Sequence, residues 1–198
     1  MLVSFTGAQS TGKSTLLEEC KKTFTGKWEF VPEVTRLIKR RHGVKINEYG
    51  TDKTQNYIIE AHIVNVINYH NDIAEGKVDG YILDRCILDG MVYTQYLYNH
   101  GQVKKSTLDY ARGVCNLIVD KYDLIFYTDP NIPIVDDGER SVNEDFRKEI
   151  IEIFDRYIKL DVDRLGDKVK LLSGSVEERM KDINLCIKNL KNGKETTS

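Results

Sequence analysis

Long apolar runs are missing from this 198-residue chain. No stretch approaches the roughly 18 apolar residues that a bilayer-spanning helix requires. The start, Met1-Leu2-Val3-Ser4-Phe5, has no basic region and too short an apolar run for a secretory leader, so a cytoplasmic protein away from membranes is expected. Paired cysteines are missing too. Cys20, Cys86, Cys115 and Cys186 lie 29 or more residues apart and form no CxxC, which argues against structural zinc and for reduced thiols. His42, His62, His70 and His100 make no HExxH, and the eight-residue spacing of His62 and His70 suits one helix face better than a metal site. Charge of one sign is not in excess either: 29 basic residues face 31 acidic ones, a net charge of −2. That balance removes a dedicated nucleic-acid binder with a large basic face, while leaving room for a local basic groove. No internal repeat, linker or low-complexity block interrupts the chain. The expectation is one domain over residues 1–193, with a frayed polar tail at 194–198.

What is present is a soluble, globular composition, 40% hydrophobic and 30% charged, with material for one sizeable core. Short apolar runs alternate with longer amphipathic segments, the βαβ signature of a parallel sheet covered by helices. Strands are expected at 2–6, 28–31, 81–84, 124–127 and 169–172. Helical patterns occupy 14–24, 54–75, 88–98 and 107–119. The longest of these places Ile59, Ile63, Val66 and Ile67 on one stripe and stops at Gly76. Residues 131–144 read as a polar loop or lid. Ser141-Val142-Asn143-Glu144 then resembles a capping box for a helix to about residue 160, and Ser175-Val176-Glu177-Glu178 repeats that signal for a last helix ending near Asn192-Gly193.

One motif dominates the chemistry. Gly7-Ala8-Gln9-Ser10-Thr11-Gly12-Lys13-Ser14 matches G-x-x-x-x-G-K-[ST] at every fixed position, after a strand and at the opening of a helix. Glycines let the backbone curl so that successive N–H groups point at phosphate oxygens, and the helix N-terminus adds partial positive charge. Lys13 is expected on the β- and γ-phosphates and Ser14 on Mg2+, with Thr15 completing the ATP-binding run. The fold expected is therefore α/β, a P-loop NTPase fold with a five-stranded parallel sheet, flanking helices and a lid loop. A GTPase is excluded by the lack of N-K-x-D, and an oligomeric AAA-type motor needs more chain for its small domain and sensors.

Further residues point to phosphoryl transfer. The strand Tyr81-Ile82-Leu83 delivers Asp84 and Arg85 together. An Asp at a strand end beside the P-loop can hold Mg2+ directly or through water, and Asp129, at another strand end, competes for that role. Arg85 would face the crevice where a phosphoryl acceptor lies. Glu33 follows Phe30-Val31-Pro32 and precedes Arg36; its carboxylate suits acceptance of a hydroxyl proton, or else stabilises a helix first turn. Arg140, in Asp136-Asp137-Gly138-Glu139-Arg140-Ser141, suits charge stabilisation from a Gly-hinged loop. Gln55 could read a base edge.

Taken in order, the P-loop, Glu33…Arg36, Gln55-Asn56-Tyr57, the strand ending at Asp84 and Asp136-Asp137-Gly138-x-Arg140-Ser141 resemble the nicotinamide-riboside kinase domain of the bacterial NAD regulator NadR, over roughly residues 1–160. Stand-alone, phage-type relatives of that domain share the pattern. That domain has D-T-D where this chain has Asp84-Arg85-Cys86; the Asp-Arg pair is similar to thymidylate kinases, and Glu33 with that pair is similar to deoxyribonucleoside kinases. The resemblance implies a P-loop kinase that uses ATP and Mg2+ to phosphorylate a small nucleoside or nucleoside monophosphate. It assigns Lys13, Glu33, Asp84 and Arg140 to catalysis, Ser14 and Asp84 to the metal, and Glu33, Arg36, Gln55 and Arg85 to the acceptor. The alternatives are a nicotinamide riboside kinase, a kinase of a hydroxylated base in DNA (the one way nucleic acid would enter), and a regulatory ATPase. A homodimer is compatible with the sequence.

Overall fold

The computed structural model describes residues 1–131, 143–160 and 165–195. Five strands, β1 (Leu2–Thr6), β2 (Trp28–Val31), β3 (Gly80–Asp84), β4 (Leu124–Thr128) and β5 (Val169–Leu172), form one sheet in the order β2-β3-β1-β4-β5, with every pairing parallel. The helices are α1 (Lys13–Thr23), α2 (Val34–His42), α3 (Asp52–Ala74), α4 (Ile87–Asn99), α5 (Lys105–Ile118), α6 (Glu144–Leu160) and α7 (Val176–Glu195), with a 3-10 turn at Asn47–Tyr49. Among the described residues no helix is long and apolar enough to cross a membrane.

A parallel sheet covered on both faces needs strands that are apolar throughout, and β1, β3 and β4 are buried at every position. Alternation divides their side chains between two cores. Val3, Phe5, Ile82, Leu124 and Phe126 meet Leu16, Leu17 and Cys20 of α1 and Ile183 and Ile187 of α7. Leu2, Tyr81, Leu83, Ile125 and Tyr127 face the larger cluster fed by α3, α4, α5 and α6. Register sets Phe5 opposite both Asp84 and Phe126, so the carboxyl ends of β3, β1 and β4 finish level with one another. At the other end Gly80 is required by close approach: a Cβ there would sit 2.5 Å from the Met1 carbonyl and 2.7 Å from the Trp28 ring.

The strands lie where the sequence pattern puts them, and three helical features differ from it. Helix α2 was not among the expected helices; only Val34 of it is buried, and its run of basic residues hides the apolar period. On α3 the inward stripe is Gln55, Ile58, Ile59, His62 and Val66, whereas Ile67 is 46% exposed. Two polar residues hold core-facing positions there, which rotates the stripe away from the one that hydrophobicity marks. The last helix runs through Gly193 to Glu195. Its capping box is complete: Ser175 N–H donates to Glu178 Oε2 at 2.8 Å, and Glu178 N–H donates to Ser175 Oγ at 3.2 Å. Helix α6 is capped by Asn143, whose Oδ1 accepts from Phe146 N–H at 3.1 Å, while Ser141 and the centre of the expected lid lie outside the described residues.

Helix α5 has no cap of its own, and α3 supplies one. Asp52 Oδ1 accepts from Lys104 N–H at 2.9 Å and from Thr107 Oγ1 at 2.6 Å. The Thr107 hydroxyl, then the Lys104 amide, hold the Asp52 carboxyl below its ordinary pKa. A carboxyl lowered by folding stabilises the native state above its unfolded pKa and loses that contribution as pH falls through the folded value. Asp52→Ala is expected to cost about 1 kcal/mol at pH 7 in urea unfolding, a typical cap loss. The gap should narrow as pH falls below about 4. Equal midpoints at pH 7 would show that α5 does not depend on this contact.

Candidate functional site

The loop between β1 and α1 wraps Lys13. Its Nζ is buried and donates to the carbonyl oxygens of Gly7 (2.8 Å) and Ala8 and to Thr11 Oγ1 (3.1 Å). Burial, then the neighbouring Arg85, lower the Lys13 pKa to about 7. Gly7 has φ +128°, and a Cβ on it would stand 2.8 Å from Thr128 Oγ1 at the end of β4, so only glycine lets the loop pass that strand. Thr128 in turn bonds Thr11 Oγ1 and donates to the Thr6 carbonyl at 3.1 Å. From the far end of the chain Arg179 of α7, itself buried, donates to the carbonyls of Thr11 (3.0 Å) and Gly174 (2.9 Å). Arg147 of α6 reaches the Gln9 carbonyl at 3.3 Å and the Pro130 carbonyl at 2.8 Å. Ser10, with φ +59°, completes the curl, and Thr15 faces outward from the first turn of α1.

The two metal candidates separate clearly. Ser14 Oγ donates to Asp84 Oδ2 at 2.6 Å. Asp84 is buried, and desolvation, then the Glu33 charge, raise its pKa against the pull of Lys13 and Arg85. Asp129 instead turns on its own loop, accepting from Asn131 N–H (2.9 Å) and Nδ2 (2.8 Å). The hydroxyl and carboxylate at Ser14 and Asp84 are hard oxygen donors suited to Mg2+. Among the described residues no three His, Cys, Asp or Glu side chains converge as a metal cage. An ion at Ser14 and Asp84 would take its remaining oxygens from phosphate and water, the usual habit of Mg2+.

Beside this pair stands a buried ionic knot. Arg85 Nε lies 2.7 Å from Glu33 Oε1, and its Nη1 donates to Asp89 Oδ1 at 2.8 Å and reaches the Gly7 carbonyl at 3.5 Å. The guanidinium sits over the Tyr93 ring, 5.3 Å from its centroid. Arg85 has φ +87°, a strained backbone that these contacts hold in place. Asp89 closes the knot by accepting from Thr6 Oγ1 at 2.7 Å and from Cys86 N–H at 3.0 Å. Glu33 also accepts from Arg36 Nε at 3.2 Å. Burial works against its charge, but Arg85, Arg36 and Lys13 together hold the Glu33 carboxyl below the ordinary carboxylate range, so it is ionised at neutral pH.

Glu33 and Arg85 form one wall of a cleft of about 320 Å3, with Asn47, Gln55, Ile58 and Tyr93 on the others. Gln55 is buried, and its Oε1 accepts from Thr94 Oγ1 at 2.9 Å. Tyr93 OH donates to Gln9 Oε1 at 3.2 Å, tying the cleft to the P-loop. His62 is buried with a pKa lowered by burial to about 4 and is neutral; its Nε2 has no partner among the described residues. Glu33, Arg36, Gln55, Asp84 and Arg85 thus converge with the P-loop, while Arg140 lies outside the described residues. The sequence reading missed Asp89, Tyr93, Thr128, Arg147 and Arg179. Asp89 carried a usable signal, four residues after Arg85 on the next helix; the others arrive through long-range packing that no local pattern encodes.

Comparison with solved structures gives deoxyadenosine kinase from M. mycoides with dCMP and dCDP bound. It superposes with a TM-score of 0.70 at 15% identity over 96% of this chain and 100% of that one. The NadR protein in complex with NAD and AMP-PNP gives 0.67 at 19% identity, over 96% of this chain and 49% of that one. With NR bound, NadR gives 0.65 at 18%, over 88% and 44%. This chain therefore spans about half of NadR, and at these identities the likeness is one of fold. It is the fold of the two kinase groups that the motifs resemble. No curated protein matches the sequence. The family model described as an AAA domain matches residues 2–179, nearly the whole chain, and the protein belongs to that family.

Proposed function

We propose that this protein is an ATP-dependent kinase that transfers the γ-phosphoryl group to a hydroxyl of a small nucleoside or nucleoside monophosphate. The observation that carries this reading is the ionised, buried Glu33 at the junction of the P-loop and the cleft, 2.7 Å from Arg85. A carboxylate held there can take the proton of an attacking hydroxyl, and the cleft beside it, lined by Asn47, Gln55, Ile58 and Tyr93, offers a place for an acceptor that water alone would not need. The fold shared with deoxyadenosine kinase and NadR supports it.

In this reading the backbone of Gly7, Ala8, Gln9, Ser10, Thr11 and Gly12 cradles the ATP phosphates, with Thr15 at the outer rim. Lys13 leaves the Gly7 and Ala8 carbonyls for the β- and γ-phosphates, and the negative charge it meets restores its proton affinity. Ser14 and Asp84 hold Mg2+, which supplies charge neutralisation on the phosphates. The acceptor oxygen forms a bond to the γ-phosphorus as the bond to ADP breaks, and the acceptor proton passes to Glu33. Phosphoryl transfer through a loose transition state asks for positioning more than basicity, so a carboxylate of low pKa serves. Gln55 and Arg36 orient the acceptor, and the role left for Arg140 is charge stabilisation in the transition state.

Arg85 favours the unphosphorylated acceptor. Its charge is already matched by Glu33 and Asp89, two carboxylates to one guanidinium, which leaves little attraction for a phosphate. Removing it would strand both acids in the interior, so its loss is expected to unfold the site rather than only weaken acceptor binding.

Lys13→Ala is expected to abolish turnover with the melting curve preserved; near-normal kinase activity in that variant would overturn the assignment. Asp84→Asn should remove most Mg2+-dependent activity while nucleotide still binds, and Asp129→Asn should leave activity in place. The reverse pattern would move the metal to the other strand end. Glu33→Gln should lower kcat by about 10²- to 10⁴-fold against a panel of nucleosides and monophosphates, the range for a positioned base, with the KM for ATP unchanged. An unchanged kcat would exclude Glu33 as the proton acceptor. Phosphate release without any phosphorylated acceptor from the panel would favour a regulatory ATPase instead.

A further inference from the structure

The charge balance of the chain conceals a strong local asymmetry. Between Val34 and Asn47 the sequence holds Arg36, Lys39, Arg40, Arg41 and Lys45 and no acid, so the rest of the chain sets 24 basic residues against 31 acidic ones. Lys39, Arg40, Arg41, His42 and Lys45 are all exposed, and the four lysines and arginines among them form no ion pair among the described residues. The C-terminal dipole of α2 favours cations, but that field fades beyond the last turn. Lys45 lies past Gly43, and Lys53 stands on α3. The two helices meet through aromatic contacts: the His42 ring stacks on Tyr57 with centroids 4.3 Å apart, and Lys53 Nζ sits 5.7 Å from the centre of the same ring. The basic residues of α2 and the start of α3 therefore form one surface. Asp52, the acid beside Lys53, is turned away to Lys104 and Thr107.

This surface borders the cleft. Lys39 and Arg36 line its mouth together with Glu33, Ile46 and Asn47. Four residues after Lys45 in the chain, past the single acid Glu48, Tyr49 is 63% exposed. A single small anion needs one or two cations; four unpaired charges within seven residues of chain, followed by an exposed aromatic ring, match a polyanion whose charges repeat and which carries flat groups to stack. We propose that the α2 surface is a docking site for single-stranded nucleic acid, with phosphates along Lys39, Arg40, Arg41 and Lys45 and a base stacked on Tyr49. Binding here does not depend on the kinase reading, because none of Arg40, Arg41, Lys45 or Tyr49 belongs to the machinery proposed above.

The test is fluorescence anisotropy of a labelled oligothymidylate of about 12 nucleotides, a length that one such site covers, across a salt series. Saturable binding is expected, with log affinity falling linearly against log salt by about 0.7 per engaged phosphate. The double variant Arg40→Gln, Arg41→Gln should bind more weakly with a slope shallower by about 1.4. Tyr49→Ala should lose about fivefold or more in affinity at an unchanged slope, because stacking carries no counterions. Phosphorylation of a free nucleoside, if the parent shows it, should be unaltered in both. Should the double variant fail to fold, Lys45→Gln with Lys53→Gln reads the same slope. No binding at about 50 mM salt overturns the proposal, as does a slope that the substitutions leave alone. Displacement by polyglutamate of equal charge as readily as by unlabelled oligonucleotide would assign the surface to an acidic protein and overturn it too. A parent that phosphorylates nothing yet binds the oligonucleotide would defeat the kinase reading and leave this one standing.

Discussion

A single guanidinium organises this molecule. Arg85 stands where β3 ends and α4 has not yet begun, and it is bound at once to the end of β2 through Glu33, to α4 through Asp89 and to the P-loop through the Gly7 carbonyl. Each partner is drawn from a different part of the chain, so satisfying one buried cation fixes their mutual geometry. The strained φ of +87° shows the cost of putting it there. Such a backbone conformation costs on the order of 1–3 kcal/mol, and it persists because releasing it would leave two acids without a counter-charge. The P-loop and the neighbouring cleft are thereby referenced to one atom group.

Around that centre the two halves of the site differ in how they are held. The phosphate side is built from backbone carbonyls and hydroxyls, with Thr128, Arg147 and Arg179 fastening the loop from β4, α6 and α7. The cleft side is built from charged and amide side chains, Glu33 and Arg85 just ahead of α2 and α4, and Arg36, Gln55 and Asp89 on α2, α3 and α4. Substitutions on the first half act through loop shape, and on the second through charge.

The strands, the P-loop and the Asp84 position were legible in the sequence because each is local. An apolar run bounded by a turn signal is a strand whatever lies around it, and G-x-x-x-x-G-K-S carries its own geometry. The α3 stripe was not legible, because Gln55 and His62 are polar residues that face inward, and hydropathy marks such positions as outward. Nor could residues alone tell that Asp84, and not Asp129, meets the Ser14 hydroxyl, since both stand at strand ends. Arg85 was expected to face the crevice and the acceptor; that Asp89 on the following helix would pair with it was not foreseen.

The brace on the P-loop has a consequence for how the protein comes into being. The motif occupies residues 7–14, yet Arg179, which holds the Thr11 carbonyl, stands 168 residues further along the chain on α7, and β5 lies just before that helix. A growing polypeptide on the ribosome therefore exposes its phosphate-binding loop long before the loop has its backing. The braced loop is a property of a chain that has reached α7, and a product terminated before that helix would carry the motif without this brace.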